Sequence, residues 1–186
     1  MKIFSLLLLL PLSLLFNGAI VFAESSINSN KQNTHDHSLE LEGLSNNYFT
    51  KAKYYLNTGN YRNAHKFIIK AIEIDKDIST NANQQTATDF TLLAKILFEL
   101  GQFKKSEAFF LQSQKIRKQI YNKDDIILTE NLFGLAKIDK AHAKYEKALL
   151  NQKAILETRE KSKEAELTDI VRSQLEIADL EITLAY

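Results

Sequence analysis

A short pattern that returns at a fixed spacing constrains the fold of this 186-residue chain more than any other feature. The pattern is a small residue, an aromatic residue two places later, and a second small residue three places after that. It occurs at Gly59-Asn60-Tyr61-Arg62-Asn63-Ala64, Gly101-Gln102-Phe103-Lys104-Lys105-Ser106 and Ala143-Lys144-Tyr145-Glu146-Lys147-Ala148. Upstream small residues keep the same spacing, at Ala52, Ala94, Ala136 and Ala178. Self-similarity at a fixed period indicates a repeat architecture, here a tight turn between two closely packed helices.

Apolar residues recur at steps of three and four from Leu39 onwards, as they do on one face of an amphipathic helix. Gly59 and Gly101 are expected to end helices, because glycine adopts the left-handed conformation of a helix C-terminus without strain. The sequence therefore predicts an all-α fold, an α-solenoid of about three and a half antiparallel helix hairpins over residues 41–186. After the first helix, further helices are expected to begin near residues 61, 86, 103, 127, 145 and 166.

The pattern resembles the tetratricopeptide repeat, and the resemblance extends over residues 41–186. In that family a bulky residue lies early in helix A and a small residue follows one turn later. The matching positions here are Tyr48, Phe90 and Leu132, followed by Ala52, Ala94 and Ala136. The usual period is about 34 residues. The period here, from Gly59 to Gly101, is longer, and no proline follows helix B; both features are similar to the repeats of kinesin light chains. The resemblance implies a non-catalytic scaffold that binds a protein or a peptide.

The third copy departs from the pattern in two ways. Polar Asp139, Asn151 and Gln152 occupy positions where apolar residues are expected, so the third helix pair is predicted to exchange its amide hydrogens fastest. The asparagines with which the kinesin-light-chain subclass grips a peptide backbone are also absent from helix A. Phe133 and Gly134 occupy those positions in the third copy.

Residues 1–23 have the three parts of a secretory signal peptide: Lys2 as a positive start, a leucine-rich run, and small residues before a predicted cut after Ala23. An uncleaved anchor helix is the alternative, but the run is short for a membrane span and Pro11 interrupts it. Residues 24–40 are expected to be a disordered polar linker, because they offer little apolar area to bury. We therefore expect an exported protein of a bacterial periplasm that has no membrane association after cleavage.

Composition argues against several classes of function. The chain has 24 basic and 23 acidic residues, and removal of Lys2 with the signal leaves 23 of each, so no net field would attract nucleic acid. It has no cysteine, and hence neither a disulfide nor a thiolate metal site. The segment His35-Asp36-His37 is interpreted as a solvated polar tract, because flexible ligands without supporting partners bind metals weakly. No catalytic residue, cofactor or metal site is predicted.

Stacked helix pairs curve so that the A helices line a concave surface, and this surface is the predicted partner-binding face. Lys53, Lys95 and Lys137 occupy equivalent positions in the three copies. Beside aromatic and aliphatic neighbours they would hold an acidic segment or a C-terminal carboxylate. The alternative is that lysine is simply common at exposed helix positions. The predicted residues of the face are Phe49, Lys53, Leu56, Lys95, Phe98, Phe133 and Lys137.

The last predicted helix carries apolar residues on two faces, although a terminal helix of a solenoid is expected to be polar on its outer side. This pattern predicts a contact through the helix, either with a further part of the chain, with a second copy in a homodimer, or with another protein. Another alternative is that the chain is the extracytoplasmic sensor segment of a larger signalling protein. The residues predicted for the contact are Val171, Leu175, Ile177, Ile182 and Leu184.

Overall fold

The computed structural model describes residues 36–78, 83–122 and 125–186, and over these residues the chain is helical and contains no strand. It divides into two compact units, residues 1–41 and 42–186. Of the first unit only the helical residues 36–41 are described, and α2 to α7 belong to the second. Residues 36–57 form α1. The other helices are α2 (Tyr61–Ile78), α3 (Gln84–Glu99), α4 (Phe103–Ile120), α5 (Ile127–Ala141), α6 (Tyr145–Lys161) and α7 (Leu167–Ala185).

The predicted signal peptide and residues 24–35 of the predicted linker lie outside the described residues. Residues 36–40, which the sequence analysis assigns to the disordered linker, are helical instead. This short segment contains no glycine or proline to interrupt a helix, and His37 lies 4.0 Å from Glu40 one turn later. None of the helices in the described part of the chain combines the length and hydropathy that a bilayer span requires.

The turns between paired helices confirm the repeat. Gly59 and Gly101 have φ angles of 75° and 72°, in the left-handed region that favours glycine, and Ala143 takes the same conformation with φ 56°. In each turn a backbone N–H returns to the carbonyl five residues earlier, with N···O distances of 2.9 Å. These bonds run from Asn60 to Tyr55, from Gln102 to Leu97 and from Lys144 to Asp139. The helices therefore form successive antiparallel hairpins, as predicted.

Small residues bring the helices of each hairpin close together. Ala52, Ala94 and Ala136 are fully buried, and the Ser106 hydroxyl of α4 donates a hydrogen bond of 2.7 Å to the Ala94 carbonyl of α3. Ala178 is exposed, although it occupies the equivalent position in α7. Within the described residues only α6 packs closely against α7, so this helix stands as the first half of a fourth hairpin.

Neighbouring hairpins are joined by a buried polar network and by one very close contact. The Asn131 amide of α5 donates to the Ser113 hydroxyl of α4 at 2.9 Å, and its carbonyl oxygen lies 2.8 Å from the Thr91 hydroxyl of α3. The Phe110 ring of α4 lies against Gly134 of α5, where an added Cβ would come within 2.2 Å of the ring. Because α3, α4 and α5 are tied together here, this part of the solenoid holds the candidate site in a fixed geometry.

Candidate functional site: a groove lined by the A helices

A groove of 580 Å³ runs along the A helices of the successive hairpins. Most of its lining comes from the end of α1 and from α3, α5 and α7, with Tyr61, Phe110 and Arg159 contributed by the B helices. Its lining residues are Leu56, Asn57, Tyr61, Lys95, Phe98, Glu99, Phe110, Ile126, Thr129, Glu130, Phe133, Gly134, Lys137, Arg159, Asp169 and Arg172. The groove thus combines aromatic surface with cations and carboxylates.

Two aromatic rings in the groove each lie against a cation. The Lys137 ammonium is 4.6 Å from the centroid of the Phe98 ring, and the Arg159 guanidinium is 5.6 Å from the centroid of the Phe133 ring. Such contacts are electrostatically favourable because the face of an aromatic ring is negative. They hold the cations beside apolar surface, which is the arrangement that recognises a side chain with both an apolar and a charged part.

In the middle of the groove, one carboxylate is shared by two cations. Glu130 lies 2.7 Å from the Lys95 ammonium and 2.8 Å from the Arg117 guanidinium, which also donates to the Ile127 carbonyl at 2.9 Å. Burial alone would raise the pKa of Glu130, but the charges and hydrogen bonds of Lys95 and Arg117 outweigh it and hold the pKa below its usual value. Glu130 therefore stays ionised and neutralises part of the cationic charge.

At the far end of the groove, Arg159 is buried without a carboxylate bonded to it. Its side chain is 6% exposed, and it donates to the Asp169 carbonyl and the Ser173 hydroxyl, each at 2.8 Å. Its Nε is buried and has no hydrogen-bond partner among the described residues. Burial lowers the pKa of Arg159. The nearby charge of Asp169 raises this pKa, and the nearby charge of Arg172 lowers it further. A hydrogen-bonding group of the site is thus left unused.

Five residues predicted for the concave face line this groove: Leu56, Lys95, Phe98, Phe133 and Lys137. Phe49 and Lys53 are not part of the lining. Phe49 packs against the apolar core of the first hairpin and Lys53 is exposed. The expected ladder of lysines is therefore not uniform, because Lys95 is paired with Glu130 and Lys137 lies 3.9 Å from Glu99.

The sequence analysis missed the charged groups that accompany the lysines, namely Glu99, Glu130, Arg159, Asp169 and Arg172. A signal for one of them was present, because Arg117 and Arg159 are separated by one period of the repeat. Among the described residues, no group of three or more His, Asp or Glu side chains is placed to hold a metal ion. The ion pairs and aromatic rings of the lining offer charged and apolar contacts.

The residues predicted for a C-terminal contact lie mostly on the surface of α7. Leu175 is 65% exposed, and Val171, Ile182 and Leu184 are also exposed, whereas Ile177 is half-buried. Leu180 points inward and is fully buried. α7 therefore presents an apolar outer surface in addition to the face that packs on α6.

The succession of antiparallel hairpins and the groove along their A helices place the chain among the α-solenoid repeat scaffolds. Two family models, both described as "Tetratricopeptide repeat", match residues 45–78 and 84–161, which together make up more than half of the sequence. The chain belongs to the tetratricopeptide repeat family. No curated protein is significantly similar to it in sequence.

Solved structures of the same fold include kinesin-light-chain-like proteins. Nearly identical TPR-like repeats assigned to a kinesin light chain of Podosopora anserina superpose with a TM-score of 0.64 at 16% identity, over 75% of this chain and 66% of that one. BtubC (BKLC) from P. vanneervenii gives 0.65 at 17% identity, over 88% and 65%. A TPR-like protein from Chlorobium tepidum gives 0.63 at 16% identity, over 77% and 98%. The predicted fold and family are thereby confirmed, and the family is one of protein-interaction scaffolds.

Proposed function

We propose that this protein is an exported, non-catalytic scaffold that captures an acidic, partly aromatic or aliphatic peptide segment of a partner in the groove of its A helices. One observation carries the proposal: the groove places Lys137 and Arg159 directly beside the Phe98 and Phe133 rings. An acidic side chain would meet the cations while its apolar neighbours cover the rings. Aromatic residues and arginine are the residue types that dominate binding energy at protein interfaces.

The ionisation of the groove residues supports a binding role without catalysis. A general base works best when its pKa lies near the operating pH. The pKa of Glu130 is instead held low by Lys95 and Arg117, so Glu130 is a poor base at neutral pH. Glu99 and Asp169 are also within ion-pair distance of cations, Lys137 at 3.9 Å and Arg172 at 2.9 Å. These carboxylates therefore set the charge of the groove.

A random peptide library selected on the immobilised protein tests the proposal. We expect enrichment of peptides that combine Asp or Glu with an aromatic or aliphatic residue. Phe133→Ala should weaken the enriched peptides by about 2 kcal/mol, the loss expected for a central aromatic contact. Leu111→Ala, a change at an exposed α4 residue outside the groove lining, is the matched control and should leave binding unchanged. Equal binding to both variants would contradict a role for the groove.

Export to a bacterial periplasm is supported by the signal-like composition of residues 1–23 alone. Expression of the full chain in a bacterial host, followed by fractionation and N-terminal sequencing, tests it. We expect a periplasmic product that begins at Glu24. A cytoplasmic product that retains Lys2 would contradict export.

A homodimer through α7 is a second candidate function, favoured by the exposure of Leu175 and Ile182, at 65% and 62%. Contiguous exposed apolar surface commonly marks an interaction site. In sedimentation experiments the wild-type protein should then have the mass of a dimer and Leu175→Glu the mass of a monomer. A wild-type monomer at all accessible concentrations would contradict this assembly.

A further inference from the structure

The repeat spacing relates two groups of charged residues in the groove. The first group consists of Lys95, Arg117 and Glu130. One full repeat later, the equivalent positions hold Lys137, Arg159 and Arg172 in the same order. The two lysines match and the two buried arginines match. The third position differs, because the carboxylate of the first group is replaced by a guanidinium in the second.

The buried arginines keep the same backbone role in both groups. Arg117 donates to the Ile127 carbonyl at 2.9 Å, and Arg159 donates to the Asp169 carbonyl at 2.8 Å. Ile127 and Asp169 are themselves equivalent positions of successive repeats. Each arginine thus ties helix B of one hairpin to the first turn of the next helix A, so the two sites have equivalent frameworks.

The charge around the two arginines differs. The 3%-exposed Arg117 has Glu130 at 2.8 Å. Arg159 bonds only to neutral oxygen atoms in the described part of the chain, and its buried Nε has no partner. The carboxylates near the second group pair with its two more exposed cations and not with Arg159, since Asp169 is 2.9 Å from Arg172 and Glu99 is 3.9 Å from Lys137.

We propose that Lys137, Arg159 and Arg172 form a specific subsite for one carboxylate side chain of the partner, which takes the place that Glu130 fills in the neighbouring repeat. This inference rests on the proposed function and deepens it, because it states which residues receive the acidic side chain. The Phe133 ring beside Arg159 excludes water from one side of the subsite and strengthens the ion pairs formed there. A guanidinium also matches a carboxylate geometrically, since two of its N–H groups can donate in parallel.

A capped single residue tests the subsite without knowledge of the partner. Nα-acetylglutamate amide is titrated into 15N-labelled protein at physiological ionic strength, with Nα-acetylglutamine amide as the neutral probe. We expect the glutamate derivative to shift the Nε–Hε resonances of Arg159 and Arg172 in a saturable manner, and the glutamine derivative to leave them in place. An Arg159→Lys variant assigns the Arg159 resonance.

Two variants with the same change in net charge separate the subsite from general electrostatics. R172E supplies the missing carboxylate from the chain itself and should reduce the affinity for the glutamate derivative at least tenfold. K104E alters an exposed α4 residue outside the groove and should retain the affinity within about twofold. Shifts that persist in R172E, equal shifts with the glutamine derivative, or no shift at all would overturn the subsite.

The two proposals can fail separately. If peptide selection enriches groove-dependent peptides that contain no acidic residue, the scaffold function stands and the carboxylate subsite is wrong. If the glutamate derivative binds at Arg159 but no peptide is enriched, the subsite stands and the groove is not a peptide-binding site.

Discussion

The junction between the first and second hairpins and the junction between the second and third carry polar residues at equivalent positions of the repeat, but these residues differ in charge. In the first, Asp75 of α2 faces Asp89 of α3. The equivalent residues of the next repeat are Arg117 and Asn131, which join α4 to α5 by hydrogen bonds. The repeat fixes where a polar group lies between hairpins, while the individual residues fix whether that junction holds a positive charge or a proton.

Burial and the neighbouring Asp75 raise the pKa of Asp89 to about 8. The Asp89 side chain is 1% exposed, and one oxygen of each carboxyl group is buried without a hydrogen-bond partner among the described residues. A proton shared by the two carboxyl groups gives one of these oxygens a donor. The first junction therefore holds a protonated carboxyl group, Asp89, at neutral pH, whereas the second keeps a full guanidinium paired with Glu130.

The largest effect is expected at the second junction. Arg117→Met removes the hydrogen bonds to the Ile127 carbonyl and Glu130 and should cost about 2–4 kcal/mol of unfolding free energy. Urea unfolding followed by circular dichroism measures the loss. Lys118→Met, at the exposed neighbouring position, is the control and should change stability by less than about 0.5 kcal/mol. A small effect of Arg117→Met would mean that the buried arginine does not hold the second junction together.

The next effect is a dependence of stability on pH that arises at the first junction, where Asp89 holds a proton. Because the pKa of Asp89 is higher in the folded chain than its ordinary value of 3.8, the unfolded chain releases this proton first as pH rises. The contribution of Asp89 to stability is therefore complete below about pH 4 and is lost as pH rises towards about 8. Asp89→Asn should remove this decline and raise Tm most at the upper end of the range, because asparagine resembles the protonated acid and is the residue found at position 131.

Melting curves of the wild type and of Asp89→Asn across this pH range provide the measurement, and the difference between the two isolates Asp89 from other titrating groups. At the upper end of this range, where Glu130 stays ionised, Arg117→Met should shift the curve without changing its dependence on pH. A constant Tm difference between Asp89→Asn and the wild type would contradict a shared proton at the first junction.

A smaller effect concerns packing at the two junctions. Gly134 and Phe110 of the second junction correspond to Leu92 and Ile68 of the first. In the second junction, the Phe110 ring of α4 occupies the space that a side chain at position 134 of α5 would need. Gly134→Ala should cost roughly 1–2 kcal/mol, because overpacking against the fully buried Phe110 ring outweighs the gain in helix propensity of about 1 kcal/mol. Recovery of stability in the double variant Gly134→Ala/Phe110→Leu would support the steric cause, and a stabilised single variant would contradict it.

The smallest effect is expected in the third turn. Ala143 has a φ of 56°, in a conformation that Gly59 and Gly101 adopt without strain. Ala143→Gly should therefore raise the unfolding free energy by about 1 kcal/mol, and Gly101→Ala should lower it by a similar amount. Thermal unfolding of the two variants checks the opposite signs, and a loss of stability in both would show that the turn conformation is not the cause.

The repeat spacing and the apolar periodicity were sufficient to predict the helices and their pairing, because both depend on local residue types. The start of α4 at Phe103 and of α6 at Tyr145 agrees with the predicted positions. The ion pairs of the groove could not be predicted in this way. Whether Lys95 is free or bonded to Glu130 depends on side chains 35 residues apart that meet only after the hairpins have stacked.

Polar residues within apolar stripes were the other difficulty. Asp139 and Gln152 weaken the repeat pattern in the sequence, yet both are buried, and Asp139 lies 3.0 Å from the Lys147 ammonium. Asn131 was not singled out, although it is fully buried and joins three helices. A residue that is polar at a core position of a repeat gives no local indication of its partner, because that partner lies on another helix.

In the proposed subsite, one repeat position, residue 130 in one repeat and residue 172 in the next, decides whether the groove neutralises its own buried arginine or leaves it for a carboxylate of the partner. The double variant Glu130→Arg/Arg172→Glu exchanges the two residues with no change in net charge, and circular dichroism establishes that it is folded. Titration with Nα-acetylglutamate amide should then shift the Arg117 Nε–Hε resonance and leave that of Arg159 in place. A folded double variant in which the Arg159 resonance still responds, or in which neither resonance responds, would contradict the account.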